Sequence, residues 1–300
     1  MFEILRSTTS AMRLRIVRSV HGLVLRKMAG STKTESSGSK CLGSVSAASF
    51  LKLSSGLHIY SEFLETANVG EKIKATLAAP DFGGASVTIP FKLDVIPLLD
   101  KLSPAAEAIG AMNTIIPATE GENRMLHGGN TDWLGIRESI RSRAPSIGAS
   151  AAALVVGAGG TARAAIFALQ SLGAQRIYLF SRSLIETLDV WPAEGPAPTV
   201  IVSTVPASAT TTDSTNPGAV LLPLALFDAT VNGAVVDMAY KPAETHLLTL
   251  AKSAAPNWAR VVGVEVLLEQ GYAQFETWMG RRCPKHVVSK SVVEKYFAAA

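Results

Sequence analysis

The most constraining feature of this chain begins at residue 152. Ala152–Val156 reads Ala-Ala-Leu-Val-Val, residues 157–160 read Gly-Ala-Gly-Gly, residues 161–172 are an alanine-rich stretch of helical spacing, and Arg176–Phe180 reads Arg-Ile-Tyr-Leu-Phe. A short run apolar at every position, a glycine turn, a helix and a second apolar run form one strand–helix–strand unit. Strands apolar on both faces require helices on both sides of a parallel sheet. Residues 199–203 (TVIVS) and 234–238 (AVVDM) predict two more strands of that sheet. The second half of the chain is therefore expected to be a doubly wound α/β domain.

The turn itself, Gly157-Ala158-Gly159-Gly160-Thr161-Ala162, fits the pattern G-x-G-x-x-G/A. Gly157 permits the tight turn, Gly159 lets backbone approach a pyrophosphate, and Ala162 allows close helix–strand packing, while the helix N-terminus offers free N–H groups to phosphate. Alone the motif is weak, since glycine turns also occur where nothing binds; its place between an apolar strand and an alanine-rich helix favours the binding reading. An acidic residue after the second strand would select NAD, but the chain has Ser181-Arg182-Ser183. An arginine between hydroxyls suits a 2′-phosphate, so NADP is expected over NAD, the alternative being that Arg182 is only a solvated charge. Residues 183–198 leave room for a short helix around 184–190, close to the minimum of roughly a dozen residues for a crossover.

A different α/β pattern precedes this unit. Residues 58–63 (HIYSEF) and 85–90 (ASVTIP) read as strands flanking a helix around 69–78, a second βαβ unit. A helix through 95–99 and a strand over 109–116 follow, with 125–128 pairing beside it. Helical spacing resumes from Trp133 and again over 264–278, the latter packing back on the first domain. The expected organisation is a basic extension over 1–40, an N-terminal α/β substrate domain over 41–134 completed by 270–300, and a Rossmann-type dinucleotide-binding domain over 135–269.

With 300 residues, 48% of them hydrophobic, the chain can supply two cores. Its net charge of +4 is unevenly spread. Residues 1–40 hold eight Lys/Arg against two acids, leaving the remainder at −2, so no basic stripe points to nucleic acid. The basic, serine-containing start resembles an organelle transit segment, with a simple extension as the alternative. A cytoplasmic setting is expected, with mitochondrial import left open. Cys41 and Cys283 stand alone and the five histidines form no ligand spacing, so neither a disulfide framework nor a metal is expected. No apolar run reaches the roughly 20 residues of a membrane span.

Three separated motifs carry the remaining chemistry: Ser86-Val87-Thr88-Ile89-Pro90-Phe91-Lys92, Gly110-Ala111-Met112-Asn113-Thr114 and Asn130-Thr131-Asp132. Singly each has a structural explanation: Lys92 as a solvated residue after Pro90, Asn113 in a turn, Asp132 as a helix cap. Together with the glycine turn and Val266-Leu267-Leu268-Glu269-Gln270, their order resembles the shikimate/quinate dehydrogenase family, especially its fungal-type members, from about Leu57 to the C-terminus. The resemblance implies a substrate domain and a Rossmann domain flanking a cleft, and hydride transfer between nicotinamide and a ring carbon of a polyhydroxylated cyclic carboxylate, in the pathway to aromatic amino acids. Lys92 and Asp132 match the family's catalytic pair. Ser86, Thr88, Asn113 and Gln270 match substrate-contacting positions, and Tyr240 matches a tyrosine near the nicotinamide. Of the family's two-serine element for the carboxylate, Gly43-Ser44-Val45-Ser46 is the only echo.

The chemistry also stands without the family. Oxidising a secondary alcohol by hydride loss requires removing the hydroxyl proton, and the reverse requires returning it. A lysine amine can do both while a carboxylate orients it, which leaves the proton carrier within the pair open. The competing reading is a dehydrogenase-like module that senses a quinate-type ligand, as in quinate repressor proteins. The sequence does not set shikimate against quinate, nor the oligomeric state.

Overall fold

The computed structural model describes residues 2–5, 23–30, 59–66, 69–80, 82–88, 90–145, 147, 151–181, 195–210 and 222–298. The chain divides into two compact units: Met1–Val17 with Asp132–Glu269, and Arg18–Thr131 with Gln270–Ala300. Among the described residues no helix is long and apolar enough to cross a membrane.

The first unit is built on strands β1 (Phe2–Leu5), β8 (Ala152–Val156), β9 (Arg176–Phe180), β10 (Val200–Ser203), β11 (Ala234–Asp237) and β12 (Ala259–Val261), in the order β1-β9-β8-β10-β11-β12. All neighbours are parallel except β1, which pairs antiparallel with β9 at the edge. The expected doubly wound sheet is present, and its strand order shows why these segments are apolar throughout. Ala153, Val155, Ile177, Leu179, Val200, Val202 and Val236 join one core, which includes Ile136 and Ile140 of helix α3 (Asp132–Arg143) and Ala165 and Leu169 of α4 (Gly160–Ser171). The alternate residues Leu154, Val156, Tyr178, Phe180, Ile201 and Val235 join the other, with Phe227, Trp258 and Leu247 and Leu248 of α5 (His246–Ala254). Period-two alternation thus feeds two cores, and each large side chain fully buried contributes roughly 1.5–3 kcal/mol. Helix α5 was not anticipated; Thr245 caps it, accepting from Leu248 N.

β10 follows β9 in sequence but pairs with β8. The sheet therefore grows away from β8 in both directions, which makes the C-terminal ends of β8 and β10 its switch point, where open α/β sheets bind ligands. The short helix expected around 184–190 lies outside the described residues.

The second unit has strands β2 (Leu23–Gly30), β3 (Ile59–Thr66), β4 (Phe82–Val87), β5 (Lys101–Leu102), β6 (Thr114–Glu120) and β7 (Asn123–Gly129), ordered β3-β2-β4-β6-β7-β5. Helix α1 (Glu71–Ala78) buries Ile73 and Leu77, four residues apart on one face, in a core with Phe82, Val87, Phe91, Met112 and Ile115. Four sequence expectations are corrected here. The strands around 58–63 and 85–90 are not neighbours in a βαβ unit: β2 stands between β3 and β4, antiparallel to both. β2 itself, like β1, comes from the stretch read as an extension, because main-chain pairing is not precluded by a basic composition. In place of a helix over 95–99 there is one 3-10 turn, Ile96–Leu98, because the chain turns to extended backbone at Leu99 (φ −108°, ψ 146°). Residue 109 ends a helix rather than starting a strand: α2 (Pro104–Ile109) is capped by Ser103, whose side chain accepts from Ala106 N, opened by Pro104 and stopped by Gly110. Helix α3 begins at Asp132 in the first unit, whose core takes in its Ile136 and Ile140.

The last two helices are α6 (Gly263–Met279) and α7 (Lys285–Ala298); the division into units falls within α6, between Glu269 and Gln270. On the second unit's side, Trp278 Nε1 donates to the Ile115 carbonyl at 3.0 Å. Gly84 in β4 lies beneath it at φ +135°, where a Cβ would meet Trp278 Nε1 at 2.6 Å and the Ile115 carbonyl at 3.0 Å. Gly84→Ala should therefore cost about 2 kcal/mol or more through backbone strain and displacement of the indole. Thermal unfolding checks this, and an unchanged Tm would show that Trp278 moves aside freely.

Candidate active site

The second unit gathers most of the residues singled out for substrate. Asn113 leads into β6, and its side chain is a hub. Its Oδ1 accepts from Thr131 N at 2.8 Å and Thr114 Oγ1 at 2.8 Å, while its Nδ2 donates to Thr131 Oγ1 at 3.0 Å and Gln270 Oε1 at 3.3 Å. Thr131 Oγ1 lies 3.1 Å from the same Gln270 oxygen. Because a main-chain N–H can only donate, Thr131 N settles which end of the Asn113 amide is oxygen. Asn113, Thr114, Thr131 and Gln270 are all buried.

The Asn113 main chain is held as firmly: its N–H donates to Gly129 at 3.0 Å and its carbonyl accepts from Val87 at 2.8 Å. Lys92 lies in the turn after β4, its carbonyl accepting from Met112 N at 2.9 Å; its side chain is buried, the residue being 7% exposed. Thr88 is half-buried at the start of that turn and its carbonyl accepts from Phe91 N. Ser86, near the end of β4, is half-buried and bonded to Gln274. Gln274 is a member of this network that no sequence motif contained, whereas Thr114 and Thr131 lay within motifs without an assigned role. The signal for Gln274 was available: it stands four residues after Gln270, hence on the same face of α6.

The remaining candidates lie in the first unit. Asp132 follows Thr131 as the first residue of α3 and is buried, 6% exposed. The glycine turn leaves the end of β8, where Gly157 N donates to the Phe180 carbonyl at 2.8 Å. Gly157 has φ +117°, and a Cβ there would overlap Thr204 Oγ1, so both conformation and space demand glycine. Gly159 differs: a Cβ would meet nothing within 4 Å. It is the N-cap of α4, with no side-chain cap bond, at the point where a helix presents its first-turn N–H groups. Ala158 precedes it, and Ala162 is buried in the core as expected of the third small residue. This cradle fits the phosphates of a dinucleotide. Ser181 is buried directly after β9; Arg182, Ser183 and Gly43–Ser46 lie outside the described residues.

Tyr240 is half-buried three residues after β11. The segment before it is fastened by Asp237, which is fully buried and accepts from Ala239 N at 3.0 Å through Oδ1. On the other side, Gly263 sits so close that a Cβ would meet the Ala239 carbonyl oxygen at 2.5 Å. Burial pushes the Asp237 carboxyl above the usual carboxylate range, opposed by the hydroxyls of Thr245 and Ser203 and the Ala239 N–H. The fold thus holds this proton more tightly than the unfolded chain does. The associated stability is present below the ordinary carboxylate pKa and is lost as pH rises through the raised value. Asp237→Asn, which retains the acceptor for Ala239, should flatten that fall in Tm with rising pH. Asp237→Ala should cost about 1–2 kcal/mol by stranding the Ala239 N–H. Identical Tm–pH curves for wild type and Asp237→Asn would contradict the assignment.

Two family models match the chain: the shikimate dehydrogenase substrate binding domain over residues 47–115, and the shikimate 5'-dehydrogenase C-terminal domain over 263–292. The pentafunctional AROM polypeptide of Mycosarcoma maydis is 36% identical over 283 residues, covering 80% of this chain but 16% of that polypeptide; the chain thus spans about a sixth of such relatives. Among solved structures, shikimate dehydrogenase from Aquifex aeolicus is 33% identical with a TM-score of 0.57, over 74% of this chain and 80% of that one. Shikimate 5-dehydrogenase from Thermus thermophilus, in complex with NADP(H) and shikimate, is 30% identical with a TM-score of 0.56, over 77% and 82%. These relatives do not favour the ligand-sensing alternative. On its motifs, its two α/β units and this shared identity, the chain belongs to the shikimate dehydrogenase family.

Proposed function

We propose that this chain is an NADP-dependent shikimate dehydrogenase, interconverting shikimate and its 3-dehydro acid, with Lys92 and Asp132 acting at the reacting hydroxyl. The observation that carries this reading is the burial of both charged side chains at the positions where the family motifs put chemistry. Burying charge is costly, so such residues mark functional positions more often than accidental ones. The Thermus thermophilus relative, in complex with NADP(H) and shikimate, supports the choice of both ligands.

NADP, held at the Gly157–Ala162 turn, would supply the hydride acceptor for oxidation and the donor for reduction. The protein's own task is the proton. In oxidation Lys92 takes the hydroxyl proton as the carbon gives up hydride, and in reduction it returns that proton to the forming alkoxide. Asp132 orients the ammonium and the hydroxyl. Thr88, Asn113 and Gln270 bind the ring substituents, with Asn113 and Gln270 locked in advance by Thr131, which lowers the cost of ordering them when substrate arrives. Tyr240 packs at the nicotinamide end. The preference for NADP rests on Ser181-Arg182-Ser183, with no acid to select NAD.

Purified protein with NADP and shikimate should form reduced cofactor, followed by absorbance. Lys92→Ala should lower kcat by roughly 10²–10⁴-fold with an unchanged Tm. Absence of turnover with both shikimate and quinate would overturn the proposal, and a preference for NAD would overturn the role of Arg182. Gly159→Val, which fills the open cradle, should raise the KM for NADP by roughly tenfold or more while leaving shikimate binding intact. Calorimetry of each ligand separately checks this.

A further inference from the structure

Gln274 is wholly buried, 0% exposed, one turn beyond Gln270 on α6. Its Nε2 lies 3.1 Å from Ser86 Oγ, 3.0 Å from Thr114 Oγ1 and 3.3 Å from the Asn113 carbonyl. The direction of each contact can be worked out from its donors. The Asn113 carbonyl can only accept. The Thr114 hydroxyl proton is committed to Asn113 Oδ1, so its oxygen faces Gln274 as an acceptor. Both neighbours exclude an acceptor. Nε2 has two hydrogens for three contacts: the shorter ones, to Thr114 and Ser86, take one each, and the Asn113 carbonyl, farther off and already accepting from Val87 N, shares one of them. Turned over, the Gln274 amide would press its oxygen against two acceptors, which fixes nitrogen on this side. Its Oε1 is buried without a partner among the described residues, a cost the fold accepts for that orientation.

A consequence follows for Ser86. An amide nitrogen cannot accept a hydrogen bond, so the Ser86 hydroxyl takes part in this contact only through its oxygen. Gln274 is its side chain's partner among the described residues, and Ser86 is half-buried, with part of its surface open. Its proton is thereby left for a ligand.

We propose that Gln274 is a positioning residue that makes Ser86 a one-way donor, occupying the hydroxyl oxygen so that the proton is presented to an acceptor oxygen of the bound acid. This rests on the proposed dehydrogenase function. Gln274 acts through Ser86 and touches no substrate itself.

A double-mutant cycle tests it in the intact chain, with NADP and shikimate as probes. Ser86→Ala and Gln274→Met should each raise the KM for shikimate by about five- to thirtyfold, with kcat within about twofold and the KM for NADP unchanged. The double variant should be no worse than Ser86→Ala alone, because the second change removes support from a hydroxyl already gone. Gln274→Glu, of the same shape but able only to accept while ionised, should draw the Ser86 proton inward and match or exceed the loss in Gln274→Met. It also serves as the second arm of the cycle if Gln274→Met fails to fold, judged by its Tm. Losses that multiply in the double variant, or a Ser86→Ala enzyme with unchanged KM, would overturn the proposal while leaving the dehydrogenase reading intact. A wild-type chain that neither turns over nor binds shikimate would overturn that reading, and this inference with it.

Discussion

Asn113 is the residue on which the second unit's polar architecture depends. Its main chain joins the end of β4, through Val87, to the end of β7, through Gly129, while its side chain ties Thr131 and Thr114 to Gln270 of α6. Buried amides are costly when unpaired, so a residue that satisfies acceptor and donor ends at once specifies one arrangement of all the segments it touches. The order propagates outward: Thr131 fixes the Asn113 amide, Thr114 follows, and Gln274 is then constrained on two sides. The hydrogen-bonding directions of this network are thus set by the fold itself.

The first unit achieves precision by different means. Its central strands β8, β9, β10 and β11 are apolar on both faces, and Arg176, Ser203 and Asp237 stand at strand ends. Gly157 at the end of β8 leaves no room beside Thr204, whereas Gly159 two residues later borders open space. The contrast separates a glycine that the protein's own packing requires from one that it does not. Asp237 and Ser203 end adjacent strands in register, and Asp237 turns inward to secure the segment leading to Tyr240. The bond to Ala239 N offsets part of the cost of this burial, which disfavours the carboxyl's charge.

The elements most legible in the sequence were those whose burial is complete. β8 and β9 were recognisable to the residue, because strands covered on both faces read as near-continuous apolar runs, broken in β9 only by Arg176 at its start. β4 was less so: Phe-Gly-Gly-Ala-Ser-Val carries glycines that suit its packing under Trp278 and weaken its strand signal. Ser103-Pro104 followed by Gly110 is a helix start and stop written in full, but the apolar run after Ile109 obscured it. The interposition of β2 between β3 and β4 had no local signal, because strand order is set by main-chain pairing across distant segments.

The candidate site divides along the same line. The sequence by itself determined the glycine turn, the parallel sheet around it, and the identities of Lys92, Asn113, Asp132 and Gln270 as candidates, because each depends on patterns within a few residues or on motif order. Only the tertiary structure decided what those residues do to one another. The bond from Gln274 to Ser86 spans 188 positions, and that from Asn113 to Gln270 spans 157. Which atom of an amide or hydroxyl must give its proton is settled by partners that distant, and chain order carries no record of a hydrogen bond's direction.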